Sequence, residues 1–290
     1  MADPLPICHL NGEWPALREA RISPLDRSFL FGDGVYEVVP VFEGRPFRFA
    51  EHFDRLSRSL AALRIRDPHS RDDWRALGRE LMQRNGGGDM YVYVQVSRGA
   101  EYGRNHAPFP DVPPTVFAFC APLPKPSAAQ LQEGLQCVTA PDIRWARCDI
   151  KSVALLGNVM QRQLSAQIGA HETILLKDGQ MMEASASTVH VVLHGVIVTP
   201  PNSNEILPGT TRTVVEELAD RLSVPRETRP VSEAELRAAD EVWLASATRN
   251  VSAVTRVDGA PVGDGKPGPV WQKMWAAFLQ LQAELRDQPW

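Results

Sequence analysis

Three prolines stand within the five residues Pro122-Leu-Pro-Lys-Pro126 of this 290-residue chain. Proline fixes φ and has no N–H to donate, so neither a helix nor a central strand continues through such a run. It makes a stiff, extended connection instead. The run predicts two domains: residues 1–121, a linker over 122–128, and a second domain over 129–290. The length leaves room for two hydrophobic cores.

On either side of the prolines, strand and helix patterns mix. Val35 to Phe42, Tyr91-Val-Tyr-Val-Gln-Val-Ser97 and Thr115-Val-Phe-Ala-Phe-Cys120 alternate as strands. Between the first two lie an amphipathic helix over Phe49 to Ile65, with Phe53, Leu56, Leu60 and Leu63 at helical spacing, and a second helix from Arg71 to Arg84 stopped by Gly86-Gly87-Gly88. Beyond the linker, the pattern predicts a strand over Leu135 to Thr139 and a helix over Leu155 to Ile168. A hairpin follows, joining Glu172–Leu176 to Gln180 across Asp178-Gly179. Strands at Thr188–Leu193, Val196–Thr199 and Glu241–Ala245 share the rest with helices at Thr210–Arg221, Ser232–Ala238 and Val270–Leu285. No regular βαβ alternation and no repeat is present. The fold class expected is α+β, a mixed α/β arrangement.

Composition excludes several classes. The net charge of −4, without a basic cluster, argues against nucleic acid as a partner. No apolar run approaches the roughly 18 residues that span a bilayer, and the N-terminus lacks a secretory pattern, so a cytoplasmic protein is expected. Cys8, Cys120, Cys137 and Cys148 are far apart, which reads as reduced thiols rather than a disulfide or zinc framework. The histidines show no metal spacing, and no P-loop or G-x-S-x-G elbow occurs.

Lysine usage carries the strongest chemical signal. Of 31 basic residues only five are lysines, and one of them, Lys151, sits in the apolar run Asp142-Ile-Arg-Trp-Ala-Arg-Cys-Asp-Ile-Lys-Ser-Val-Ala-Leu-Leu156. Guanidinium cannot form an imine, whereas a partly buried lysine amine can act as a nucleophile. Lys151 is either a Schiff-base lysine or a snorkelling lysine near a helix start. A Schiff base with pyridoxal phosphate makes further demands, each with a candidate. The ring nitrogen needs an acid, and Glu183 in Met181-Met-Glu-Ala-Ser185 could serve, or could be a solvated strand-end glutamate. The phosphate needs a helix start with hydroxyls. Leu207-Pro-Gly-Thr210-Thr211-Arg212 offers one, although an ordinary threonine cap would look the same. A substrate carboxylate needs donors. Arg104 and His106, in a Gly- and Pro-rich loop, and Tyr36, on a strand, could supply them or be ordinary surface and strand residues.

Together these segments resemble the class IV (fold-type IV) pyridoxal phosphate aminotransferases, and within them the D-amino-acid-specific branch. The resemblance runs from about Ile22 to Gly265. It is carried by Phe31-Gly-Asp-Gly-Val-Tyr-Glu37, Glu51-His-Phe-Asp-Arg-Leu56, Arg104-x-His106, Asp142-Ile-Arg-Trp-x-Arg-Cys-Asp-Ile-Lys-Ser152 and Glu183-x-Ser-x-Ser187. It implies a smaller N-terminal α/β domain and a larger C-terminal domain with a pseudo-barrel sheet. It makes Lys151 the cofactor-linked lysine, Glu183 the partner of the pyridine nitrogen, and Arg55, Thr210, Thr211 and Ser246 phosphate ligands, with Leu207 against the ring. Helical spacing alone puts Arg55 on a polar face. Tyr36, Arg104 and His106 match a carboxylate-binding trio, with the Arg-x-His loop reaching the neighbouring subunit of a homodimer. The activity implied is transamination of D-alanine-type donors with 2-oxoglutarate, giving a 2-oxo acid and D-glutamate. Other fold-type IV activities (branched-chain L-aminotransferase, (R)-amine transaminase, aminodeoxychorismate lyase) are the near alternatives, and a non-catalytic cofactor-binding protein the remote one. Two departures stand out: Ala186 replaces a serine after Glu183, and Ser246-Ala247-Thr248 replaces a Ser-Thr phosphate contact.

Overall fold

A computed structural model describes residues 3–285 and Trp290. They group into two compact units. One is residues 3–124 with Ile150–Leu155, Leu285 and Trp290, and the other is Lys125–Asp149 with Leu156–Glu284. The linear division at 122–128 is thus corrected, because the second stretch does not run unbroken from 129. Residues 150–155 return to the first unit for a local reason: Tyr36 N donates to Lys151 O at 2.9 Å, Val153 N donates to Gly34 O at 3.0 Å, and Ile150 joins the first core.

The first unit contains β1 (Cys8–Leu10), α1 (Arg27–Phe31), β2 (Gly34–Phe42), β3 (Arg45–Pro46), α2 (Phe49–Ala62), α3 (Arg71–Arg84), β4 (Met90–Ser97) and β5 (Thr115–Pro122). Its antiparallel sheet has the order β1-β5-β4-β2-β3. Alternation decides which side chains face the core. Met90, Val92, Val94 and Val96 of β4 are buried beneath α2 and α3, together with Phe53, Leu56, Leu60 and Trp74. The opposite face carries Tyr36, Tyr93 and Phe119, whose rings stack at 5.0–5.6 Å. The capping box of Ser70 and Asp73 starts α3. Gly34 opens β2 because a Cβ there would lie 2.9 Å from Val96 O.

The second unit holds α4 (Ala128–Glu133), β6 (Leu135–Pro141), α5 (Leu156–Gln167), β7 (Glu172–Lys177), β8 (Gln180–Ala184), β9 (Thr188–Leu193), β10 (Val196–Thr199), α6 (Thr210–Arg221), β11 (Arg226–Thr228), β12 (Val231–Ser232), α7 (Glu233–Ala238), β13 (Glu241–Ser246), β14 (Asn250–Val257), β15 (Ala260–Pro261) and α8 (Pro269–Glu284). The sheet runs β11-β10-β9-β13-β14-β6-β7-β8-β12, with β15 on β14. Parallel pairing occurs at β10–β11, β14–β6 and β6–β7, so the sheet is mixed, as the α+β reading expects. It is also open, ending at β11 and β12. The β7–β8 hairpin turns through Asp178 and Gly179, both at positive φ (51° and 74°), as a two-residue turn of the primed type requires. Glu241 caps α8 from the sheet. Its carboxylate accepts from Val270 N and Trp271 N, each at 2.8 Å, and from Trp243 Nε1 at 2.9 Å.

Candidate active site

Lys151 lies in an extended segment ahead of α5, not at a helix start. It is half-buried, and its backbone is fixed at both ends: its N–H donates to Ser59 Oγ at 3.2 Å and its carbonyl accepts from Tyr36. The amine stands 4.2 Å from the centroid of the Tyr36 ring. Among the described residues no carboxylate is ion-paired with it. Tyr36 is held in turn by stacking on Tyr93 at 5.6 Å. The structure therefore brings two of the expected residues, Lys151 and Tyr36, into contact.

Arg55 departs from its helical-face expectation. It is 4% exposed rather than solvated, because the buried carboxylate of Glu37 on β2 neutralises it. Arg55 Nε donates to Glu37 Oε1 at 2.7 Å and Nη2 to Oε2 at 2.9 Å, while His52 Nδ1 lies 2.7 Å from the same Oε2. Burial would push the Glu37 carboxyl up, but the charge and hydrogen bonds of Arg55, helped by His52, hold it well below the usual range. Burial also lowers His52, against the pull of Glu37, so its ring stays neutral near pH 7. Glu37 and His52 were assigned no role from sequence. Their only signal was a place inside the two motifs that also contain Tyr36 and Arg55.

The third expected pair, Arg104 and His106, sits on an exposed loop. Both rest against one ring: Arg104 Cζ is 5.2 Å from the Phe31 centroid, and the His106 ring 5.4 Å. The loop backbone is tied down by a buried arginine that sequence reasoning passed over. Arg27 Nη1 donates to Asn105 O at 2.6 Å and Nη2 to His106 O at 2.9 Å.

In the second unit, Glu183 is the penultimate residue of β8 and is buried, 5% exposed, which removes the solvated-glutamate reading. Its Oε1 accepts from Leu207 N at 3.2 Å and is paired with Arg144 Nη1. Asp142 grips the same guanidinium at both oxygens, 3.0 Å to Nε and 2.7 Å to Nη2, and Glu205 O accepts from it at 3.1 Å. Burial works against the Arg144 charge, yet the two carboxylates outweigh it and raise its pKa. Asp142 is correspondingly held low: burial opposes, and Arg144 wins. In the sequence Arg144 carries only a weak signal, an arginine two residues after an aspartate.

Helix α6 begins at Gly209, which offers no side-chain cap and whose added Cβ would lie 2.8 Å from Thr188 Oγ1. Thr210 and Thr211 form its first turn, half-buried and buried respectively, and Leu207, two residues before Gly209, is half-buried. A helix start without a side-chain cap, set against a neighbouring hydroxyl, is the chemistry an anion uses. Ser246 is half-buried at the end of β13, where its carbonyl accepts from Arg249 N at 3.2 Å. No group of His, Cys, Asp or Glu among the described residues could hold a metal ion.

Taken unit by unit, the donor types fit pyridoxal phosphate: the first unit carries an amine without an acid partner among the described residues and an arginine, and the second a buried carboxylate and a helix start with hydroxyls. The family comparison agrees. The Amino-transferase class IV pattern matches residues 34–257. The chain belongs to the class IV aminotransferases, enzymes that work with pyridoxal phosphate. It is 37% identical over 270 residues to a D-alanine aminotransferase of Staphylococcus aureus (strain MSSA476), covering 93% of this chain and 95% of the relative. A D-alanine aminotransferase of Listeria monocytogenes serotype 4b (strain F2365) is 37% identical over 273 residues, covering 93% and 94%. Among solved structures, the Escherichia coli branched-chain amino acid aminotransferase is similar with a TM-score of 0.91 and 25% identity, over 100% of this chain and 98% of that one.

Proposed function

We propose that this aminotransferase takes amino groups from D-amino acids of the D-alanine type and passes them to 2-oxoglutarate, releasing a 2-oxo acid and D-glutamate. The observation that carries the D-specific reading is the Arg104–His106 pair, two donors on an exposed loop braced against one Phe31 ring. The D-alanine aminotransferase relatives support it.

Pyridoxal phosphate, when bound, supplies a carbonyl for an amine and a ring that draws off electrons as the α-proton leaves. Lys151 would hold it through Nζ, and the same nitrogen would take the α-proton of the substrate. Tyr36 limits where the amine can point. Glu183 contributes the negative charge that favours a protonated ring nitrogen, and Arg144 with Leu207 N keeps its Oε1 in place. Arg55, Thr210, Thr211 and Ser246 would hold the phosphate, with Arg55 already oriented by Glu37. Leu207 would lie against the ring. Arg104, His106 and Tyr36 bind the substrate carboxylate and so decide which enantiomer turns its α-hydrogen toward Nζ.

The chain acts as a homodimer in this reading, with the 104–106 loop serving the neighbouring subunit. Helix α5 supports it, because its polarity is inverted. Gln161 and Ser165 are buried, while Leu156, Val159, Met160 and Leu164, with Ile168 just beyond, are exposed. Cytoplasmic placement is supported by four cysteines that are all free and buried, and no helix among the described residues is long and apolar enough to cross a membrane.

A donor screen with both enantiomers of alanine, glutamate and leucine against 2-oxoglutarate tests the proposal. D-alanine is expected to give the highest kcat/KM and to produce D-glutamate. Preference for L-leucine would replace this reading with the branched-chain activity named for the E. coli structural relative.

A further inference from the structure

Arg27 is a cation inside the first unit that the proposed chemistry leaves unused. Its side chain is only 4% exposed, yet it lies in a short helix with no sequence signal of function. Its donors go to four acceptors. Nε meets Asp33 Oδ2 at 2.8 Å, and Nη1 meets Glu101 Oε2 at 3.2 Å and Asn105 O at 2.6 Å. Nη2 meets His106 O at 2.9 Å. Two of these acceptors are consecutive carbonyls of the loop carrying Arg104 and His106. Its guanidinium carbon also stands 4.8 Å from the centroid of the Phe31 ring, the ring against which the Arg104 and His106 side chains rest.

The second anchor is Glu101, 5% exposed, whose Oε2 takes Arg27 and whose Oε1 accepts from Phe109 N at 2.8 Å. The loop is thereby closed over residues 101–109 by one buried carboxylate and crossed at its middle by one buried guanidinium. Asp33 is held in turn by Arg98 through bonds of 2.7 and 3.0 Å, so the base of the clamp is itself fixed. Loops with exposed Gly, Asn and Pro do not hold one conformation unaided. Here the ordering comes from charge-assisted bonds inside the protein to the loop backbone, and the side chains of Arg104 and His106 make no hydrogen bond or ion pair among the described residues.

We propose that Arg27, Phe31 and Glu101 are positioning residues: they hold the 104–106 segment in the arrangement that binds a substrate carboxylate, and so set affinity for the amino acid without taking part in proton transfer. The inference rests on the reading of Arg104 and His106 as carboxylate donors. A planar five-donor fork is needed to span both carbonyls and two carboxylates, so lysine should not replace Arg27. An aromatic face is needed at residue 31, so tyrosine should replace phenylalanine while leucine should not.

The test uses cofactor-loaded wild type and the variants R104A, R27Q, R27K, F31L, F31Y and E101Q. Steady-state kinetics with D-alanine and 2-oxoglutarate are paired with hydrogen–deuterium exchange across residues 99–110. If the competent loop falls to about a tenth of the population, KM for D-alanine rises roughly tenfold while kcat stays within about twofold. That split is expected for R27Q, R27K and F31L, with faster amide exchange at 105–109 and near-wild-type behaviour for F31Y. E101Q should speed exchange at Phe109 and raise KM by a smaller factor. If R27Q does not fold, F31L against F31Y and E101Q decide the matter. Unchanged KM and exchange in F31L and E101Q, with R104A raising KM, would overturn the positioning role alone. Unchanged KM in R104A itself would remove the carboxylate-donor reading beneath it.

Discussion

Arg144 makes the sharpest energetic prediction. Its side chain is 4% exposed between Asp142 and Glu183, each 7% exposed. Replacing it by glutamine takes the guanidinium from between two nearly dry carboxylates. Removing one partner from a buried ion pair costs about 3–5 kcal/mol, because the remaining charge stays buried and uncompensated. For a unit of this size about 1 kcal/mol moves the midpoint by 2–4 °C, so Arg144→Gln should melt roughly 6–20 °C lower at pH 7.5 without cofactor. The pH dependence should change sign as well. In the wild type Asp142 has a lowered pKa, because Arg144 outweighs burial. Its contribution is present above its unfolded pKa and disappears as pH falls through the folded one. In the variant the dominant opposing charge is gone and only the weaker pull of Lys177 on Asp142 remains, so burial favours a bound proton and acidification from pH 7.5 toward 5.5 should recover part of the loss. Differential scanning calorimetry of the cofactor-free proteins at several pH values checks both. A midpoint within 2 °C of wild type at pH 7.5, or a deficit that stays constant down to pH 5.5, would refute the reasoning.

Lys151→Ala should remove both turnover and the absorbance change on adding pyridoxal phosphate, while the melting midpoint of the cofactor-free chain moves little. Turnover surviving in that variant would displace Lys151 from the chemistry. Acidification from pH 7 to 5 should destabilise the protein through its histidines. Burial lowers His190 to about 3, with Arg212 adding to it, and lowers His9 to about 4, with His69 adding to it. Both stay neutral when folded and take a proton when unfolded below about 6.5, so stability falls across that window, before the lowered carboxylates matter. Urea midpoints that match at pH 7 and pH 5 would contradict this, and His190→Gln should flatten the fall. Finally, on the proposed homodimer reading, Val159→Glu with Leu164→Glu places charge on an exposed apolar face and should give a monomer in sedimentation velocity without loss of helical signal. An unchanged sedimentation coefficient would move the interface elsewhere.

Elements with enough length to show their period were legible in the sequence. Helices α2 and α3, strand β4 and the Asp178-Gly179 hairpin all lie where alternation and turn chemistry put them. Two short elements near the N-terminus were not: β1 is three residues, paired with β5, and α1 is five. Strand β14 is eight residues long and was still missed. Its register against β6 shifts between Val254 and Arg256, and the burial of Ala253, Val254 and Thr255 in succession hides the period of two. In the site, the residues with unusual local chemistry (Lys151, Glu183 and the Thr210-Thr211 turn) could be singled out. Those defined by a distant partner could not. Glu37 and Arg55 are 18 residues apart, Arg144 and Glu183 are 39, and Arg27 and Glu101 are 74. No local pattern encodes such a pairing, since it exists only once the strands are in register.

Those pairings explain why a chain so rich in arginine keeps one lysine apart. Each buried arginine described above is matched to acid: Arg27 to Asp33 and Glu101, Arg55 to Glu37, and Arg144 to Asp142 and Glu183. Arg212 follows with Glu216 at 2.8 Å. Matching is what allows a permanent charge into the interior, because an unpaired one would cost several kcal/mol. A nucleophilic amine has the opposite need. A carboxylate beside it would stabilise the ammonium form by a charge-assisted bond of about 1.5–3 kcal/mol and hold back the lone pair. Lys151 is instead set over the Tyr36 ring, and among the described residues no acid is bonded to it. A ring face offers a cation only about 0.5–2 kcal/mol, enough to orient the amine. On the proposed reading the division of labour follows from side-chain chemistry: arginines bound to acids hold the binding surfaces, and Lys151, with no acid bonded to it among the described residues, is the group that reacts.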